Sequence, residues 1–272
     1  MAFVINSTDD AINEHLCKDY ATALSLGYNV LGVFLQGSQN YRLSYGGSDI
    51  DTKCIVIPSL DDIVLNRKPV STTHINEDNS HLDLKDIRLM WDCFRKQNIN
   101  FLEILFTEYY VVNSDYKEIW DQMRARAEEI AHYNNYAAVN CIAGMVFEKN
   151  AALCHPYPTL KHKIDKYGYD NKQLHHIVRC EEFLRRYIAG VPYAECLIPT
   201  DPDYLIKLKS EYWMDVDKAK AYSQIMVDEV KRIKQKYMDE TPVTVNREVE
   251  EFMQQQLVAT IKLSLRKELA NE

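Results

Sequence analysis

Long apolar runs are missing from this chain. No window approaches the roughly 18 consecutive apolar residues of a membrane-spanning helix, and the start, Met1-Ala2-Phe3-Val4-Ile5-Asn6, lacks the basic flank and long apolar core of a signal peptide. No C-x-x-C pair occurs among the seven cysteines, and their number is odd. That argues against a disulfide frame or a zinc site and predicts reduced thiols in a cytoplasmic protein with no membrane partner. Glycine and proline are sparse at 8 each, and no repeat or low-complexity tract is visible, which fits an ordered, helix-rich chain. Positive charge is in deficit, with 32 Lys and Arg against 40 Asp and Glu. A net charge of −8 excludes a generic nucleic-acid coat, so any nucleic-acid substrate needs a local basic groove. What is abundant is tyrosine, 18 against 3 Trp, in 272 residues that can hold one large domain or two smaller ones.

The pattern changes character along the chain. A helix from about Thr8 to Leu26 ends before Gly27, which is placed as a C-cap. Two apolar strands follow, one ending at Gly37 and one running Asp49–Ile57. Ser59 is placed to cap a short helix, and the polar stretch Pro69–Ser80 reads as a loop or ragged hairpin. His81-Leu82-Asp83-Leu84-Lys85 alternates as a half-buried third strand, and Asp86 caps the helix Ile87–Arg95. Helical periodicity dominates from about Ser114, over roughly 114–125, 128–153, 171–189, 215–237 and 246–268. Within the second of these, Ala137, Cys141 and Gly144 form a small-residue face suited to close helix packing. Asn100 and Glu103 have the spacing of a capping box, and Glu108–Val112 could still join the sheet. The expected organisation is an α/β (α+β) domain with a mixed sheet over residues 1–112, followed by an all-helical domain over 113–272.

The most informative stretch is Gly37-Ser38, then Ser48-Asp49-Ile50-Asp51. Gly-Ser at a strand end lets backbone N–H groups and a hydroxyl approach phosphate oxygens with no side chain in the way. Strand alternation places Asp49 and Asp51 on one face. Two carboxylates facing one point repel unless a cation separates them, and an all-oxygen site suits Mg²⁺, or Mn²⁺, with substrate phosphates completing the shell. Two-metal phosphoryl transfer needs a third oxygen ligand near the attacking hydroxyl. Asp83 is favoured over Asp86, whose capping position already accounts for it. Lys172, His175, His176 and Arg179 fall at helical spacing on one stripe, suited to clamping a triphosphate, and Lys161, His162, Lys163 and Lys166 extend that patch upstream. Gln39 and Asn40 could add donors beside Ser38.

Three segments carry a family resemblance. Gly37-Ser38-Gln39-Asn40-Tyr41 through Ser48-Asp49-Ile50-Asp51 resembles the active-site motif of the DNA polymerase beta nucleotidyltransferase superfamily. Lys96-Gln97-Asn98-Ile99-Asn100-Phe101-Leu102-Glu103-Ile104-Leu105-Phe106 resembles the "N-x-N-x-x-E-x-L-F" stretch of the branch often encoded beside RNA ligases, and Lys172 to Arg179 resembles that branch's "K-x-x-x-H-x-x-R" helix. One departure is Arg42, where members often carry Gly after the Tyr; the Gly46-Gly47 pair is placed to supply the turn instead. The resemblance implies a polymerase-beta-like fold and transfer of a nucleotide from a triphosphate, expected to be ATP, to a hydroxyl. Asp49, Asp51 and Asp83 would serve as catalytic metal ligands, with Gly37, Ser38, Gln39, Lys172, His176 and Arg179 on the nucleotide. The acceptor is left open between an RNA end and a protein or small-molecule hydroxyl, and a non-catalytic nucleotide sensor is the alternative of a different class. Base preference and oligomeric state are not legible.

Overall fold

The structure, a computed structural model, describes residues 3–6, 9–46 and 48–270. It divides into two units. The first comprises residues 1–40, 47–133 and 246–272; the second comprises 41–46 and 134–245.

In the first unit, β1 (Phe3–Asn6) leads to α1 (Asp10–Ser25), and β2 (Asn29–Gln36) is followed by a 3₁₀ turn at Ser38–Tyr41. β3 (Asp51–Ile57), α2 (Leu60–Val64) and the β4 (Ser71–Ile75)–β5 (His81–Asp86) hairpin come next. Then follow α3 (Ile87–Arg95), α4 (Ile99–Leu102), β6 (Tyr110–Asn113), α5 (Lys117–Ala125) and α6 (Ala127–His132). Among the described residues these strands form a six-stranded sheet in the order β1-β6-β2-β3-β5-β4. β3 and β5 pair in parallel and the other pairs are antiparallel, so the expected mixed sheet is present.

Local chemistry explains where the elements start. Thr8 lies outside the described residues, and α1 is capped instead by Asp9, whose Oδ1 accepts from Ala11 N and Ile12 N at 3.0 and 3.1 Å. Gly27 turns the chain out of α1 at φ +85°, a conformation glycine adopts without steric cost. Ser59 and Asp62 make a reciprocal capping box at α2. Asp86 caps α3 through Arg88 N at 2.8 Å. Asn98, rather than the expected Asn100, caps α4, because its side chain reaches the N–H two residues on. Glu103 is buried rather than part of a capping box.

One sheet face packs on α1. Ile12, Leu16, Tyr20 and Ala23 meet Val33 and Leu35 of β2, Cys54 and Val56 of β3, and Leu82 and Leu84 of β5. β2 runs so close to β6 that Gly32 has no room for a side chain: a Cβ there would lie 2.9 Å from the Val111 carbonyl oxygen. On the same strand Phe34 lies 4.4 Å, centroid to centroid, from the buried Trp120 of α5.

In the second unit the helices are α7 (Asn135–Ala152), α8 (Lys161–Tyr167), α9 (Asn171–Ile188), α10 (Tyr193–Leu197), α11 (Pro202–Ser210) and α12 (Val216–Glu240). α9 is the central one, packed by α7, α11 and α12. α7 packs through Ala138, Val139, Ile142, Ala143 and Val146. The predicted face of Ala137, Cys141 and Gly144 is not the buried one: Gly144 is exposed and the other two are half-buried. Larger apolar side chains beside them remove more surface from water and decide which way the helix turns.

The predicted boundary after residue 112 does not coincide with this division. α5 and α6 continue the sheet unit to Tyr133, and α13 (Arg247–Ala270) returns to it. The reason is packing: Trp120 and Met123 of α5, and Val249 and Met253 of α13, are buried in the sheet unit. Helical periodicity reports that a face is buried but not which body buries it.

Candidate functional site

Gly37 ends β2 at φ +90° with no atom within 4 Å of where a Cβ would stand, so the turn is open on that side. Ser38 and Gln39 are half-buried at the start of the 3₁₀ turn. Gln39 Nε2 donates to the Asp49 carbonyl at 2.9 Å, tying the Gly-Ser turn to the approach to β3. Asn40 is structural: its Nδ2 donates to Leu35 O at 2.9 Å and its Oδ1 accepts from Thr107 at 2.7 Å. Gly47 lies outside the described residues.

Asp49 is exposed and precedes the strand, whereas Asp51 is its first residue. Asp51 Oδ1 receives the His81 backbone N–H at 3.0 Å and lies 3.1 Å from His81 Nδ1. Asp83 stands in register beside Lys53, the residue two beyond Asp51. Lys53 Nζ donates to Asp83 Oδ2 at 2.7 Å. Period-two alternation therefore puts Asp51, Lys53, His81, Asp83 and Lys85 on the sheet face opposite α1. Asp86 points the other way, is buried, and is held by Arg88 through its Nε and Nη2 at 2.9 and 2.6 Å.

Lys53 was not anticipated. Its side chain is 3% exposed against 24% for Asp83, and its Nζ lies 4.1 Å from the Phe101 ring centroid. Burial pulls the Lys53 ammonium below its ordinary pKa range, and Asp83 works in the opposite direction. The available signal was its alternation with Asp49 and Asp51 inside an otherwise apolar strand.

Among the described residues no three His, Cys, Asp or Glu side chains converge as a metal-binding group. Asp49 and Asp51 supply the hard oxygen donors that suit Mg²⁺ beside phosphate oxygens. Asp83 carries an ammonium instead, so this arrangement does not make it a third ligand.

The stripe on α9 belongs to the second unit and is less cationic than its sequence suggests. Lys172 is exposed. His175 is buried, with Nδ1 2.8 Å from the Leu205 carbonyl, so Nδ1 carries the proton. Burial, helped by Arg179, pushes its pKa down to about 3. Burial likewise holds His176 well below its usual value, and its buried Nδ1 has no hydrogen-bond partner among the described residues. Arg179 is buried, its guanidinium 4.2 Å from the Tyr41 ring centroid, and Lys209 Nζ lies 5.0 Å from that of Tyr45. These two cations hold the loop that follows the Gly-Ser turn, within the same unit.

A buried polar network, also unanticipated, lies behind the acidic strand. Asp19 of α1 is fully buried and accepts from Thr52 Oγ1 and, at 2.9 Å, from Asn76 Nδ2. His15 Nε2 lies 3.4 Å from Asp19, which raises the His15 pKa above its ordinary value. Thr52 sits between Asp51 and Lys53, so this network fixes the strand that carries them.

No helix among the described residues is long and apolar enough to cross a membrane. No family model matches the chain, and no curated protein sequence does. A crystal structure of a nucleotidyltransferase-like protein from Exiguobacterium sibiricum 255-15 is similar at a TM-score of 0.30 and 11% identity, over 82% of this chain and 75% of that one.

Proposed function

We propose that the chain is a Mg²⁺-dependent nucleotidyltransferase acting on a nucleoside triphosphate, with ATP the expected donor. The observation that carries this reading is the acidic strip itself. Asp49 and Asp51 follow an open Gly37-Ser38 turn that Gln39 ties to them, and Asp83 stands on the same sheet face one strand over. The Gly37 and Ser38 backbone would receive phosphate oxygens, as open N–H turns do. Asp49 and Asp51 would hold Mg²⁺ with the phosphates, supplying charge neutralisation at the reacting phosphorus. Asp83 would accept a hydrogen bond from the acceptor hydroxyl and hold it in line. The acceptor oxygen would bond to the α-phosphorus as its proton passes to the Asp83 carboxylate, the bond from the α-phosphorus to the oxygen bridging the β-phosphorus would break, and pyrophosphate would leave. The resemblance of the Asn98 and Lys172 segments to the ligase-associated branch favours an RNA end as acceptor.

The test is incorporation. Purified protein is incubated with each α-labelled triphosphate, Mg²⁺ and, separately, RNA, protein or small alcohols. Label in the RNA fraction is expected, and Asp51→Asn should reduce it about 100-fold or more while leaving the circular dichroism spectrum unchanged, since loss of a transition-state charge clamp costs several kcal/mol. Label in protein or alcohol would move the acceptor. Tight triphosphate binding with no transfer to any acceptor would leave a nucleotide sensor in place of an enzyme.

A further inference from the structure

Asp83 already has its cation. We infer that Lys53 is the fixed positive charge on this carboxylate, so that the site takes one divalent cation per bound nucleotide, at Asp49 and Asp51, and not two. The inference rests on the nucleotidyl-transfer reading above and deepens it.

Several observations place the ammonium there permanently. Lys53 and Asp83 are partners in the parallel β3–β5 ladder, so the backbone itself sets them side by side. The 2.7 Å contact is a charge-assisted hydrogen bond. The lysine stem is buried, and its head lies against the face of Phe101, which favours a cation. Leaving Asp83 would strand that charge in the sheet, whereas staying gives it both a carboxylate and a ring. Phe101 also lies 5.2 Å from Lys85 Nζ, whose hydrogen bond to Ser71 Oγ at 2.6 Å points it toward the β4 edge. Lys85 is therefore committed elsewhere, and Lys53 alone serves Asp83 among the described residues.

The chemistry follows. A divalent ion bound to Asp83 would sit within a few ångströms of a buried ammonium, and like charges at that range repel strongly in a poorly solvated place. With Lys53 present, the carboxylate keeps a free oxygen for an acceptor hydroxyl, while the ammonium supplies the positive charge that favours the developing alkoxide. No second metal is required for that task. Lys53 thus acts through Asp83 as a positioning residue.

The experiment counts Mn²⁺ by electron paramagnetic resonance in the full chain saturated with α,β-methylene-ATP. The wild type should hold one Mn²⁺ per protein-bound nucleotide, Lys53→Arg one, and Lys53→Met two. Asp83→Asn should leave the Mn²⁺ count at one and its affinity within about twofold, which keeps the test decisive if Lys53→Met does not fold. Two ions in the wild type, one in Lys53→Met, or a tenfold or greater loss of Mn²⁺ affinity in Asp83→Asn would overturn the inference and leave nucleotidyl transfer standing. No nucleotide-dependent Mn²⁺ at all would remove that reading too, and this inference with it.

Discussion

Acid should weaken the helical unit through one side chain. His175 is buried and neutral, its Nδ1–H committed to the Leu205 carbonyl, and its pKa is about 3 in place of 6.5. In the unfolded chain the ring protonates as the pH falls below about 6.5, but in the folded chain it does so only near 3. Between those values the unfolded state binds the extra proton, so stability falls with falling pH. The neutral ring's contribution is complete above pH 6.5 and is lost progressively toward 3. Each pKa unit is worth about 1.4 kcal/mol. At pH 4.5, two units into that window, His175 should have cost about 3 kcal/mol. Aspartates and glutamates titrate over the same range, so the comparison must cancel them. His175→Asn does so, because its amide keeps a donor near the Nδ1 position and cannot titrate. Urea denaturation of both proteins, followed by far-ultraviolet circular dichroism at pH 7 and 4.5, gives the difference. The wild type should lose about 3 kcal/mol more than the variant over that interval. Equal losses would refute the reasoning, because they would mean that the ring is hydrated or charged in the folded chain.

Three further outcomes are expected. Gly32→Ala should destabilise by about 1–3 kcal/mol in urea, since its Cβ meets a backbone oxygen of β6 that cannot move without breaking the ladder; a neutral result would show that β2 shifts freely. Arg179→Ala should lower the urea midpoint by removing a buried guanidinium from Tyr41, whereas Lys172→Ala, at an exposed position of the same helix, should leave it unchanged; equal losses would refute the burial of Arg179 against that ring. His15 has a raised pKa, so its partnership with Asp19 stabilises fully below about pH 6.5 and fades as the pH rises through the raised value. His15→Gln should therefore lose stability relative to wild type at pH 6 and lose less at pH 8.5, read from urea midpoints, and a constant gap would contradict the assignment.

Much of the sheet unit could be read from local chemistry. Ser59 and Asp86 were legible as caps because a capping side chain bonds an N–H two or three residues away, a relation written in adjacent letters. β5 was legible from alternation, and Asp86 was separable from Asp83 by its position as a helix cap. β1 was not: Phe3–Asn6 is a four-residue edge strand whose pairing with β6 depends on residues about a hundred positions away. The Lys53–Asp83 pair escaped for a related reason. Strand alternation gives the face each residue occupies, but the register between β3 and β5 is set by the crossover that joins them in space. Spacing groups the histidines of α9 with Lys172 and Arg179, but the spacing of basic letters carries no information about burial, and burial decides their protonation.

The return of α13 to the sheet unit has a consequence for how the chain is made. The helical unit's main stretch, residues 134–245, is contiguous and is complete before α13 has been synthesised. The sheet unit is not. Leu31 of β2, Met90 of α3 and Trp120 of α5 help to line an apolar recess that Met253, Gln256, Leu257 and Thr260 of α13 wall on another side. Until the ribosome has delivered those residues, that recess stays open to water on a half-built domain more than a hundred residues long. Closing it joins positions far apart in sequence, which is slow in itself and leaves exposed apolar surface for other chains to find. The order of synthesis thus makes the nascent sheet unit, rather than the helical one, the part that holdase chaperones should engage.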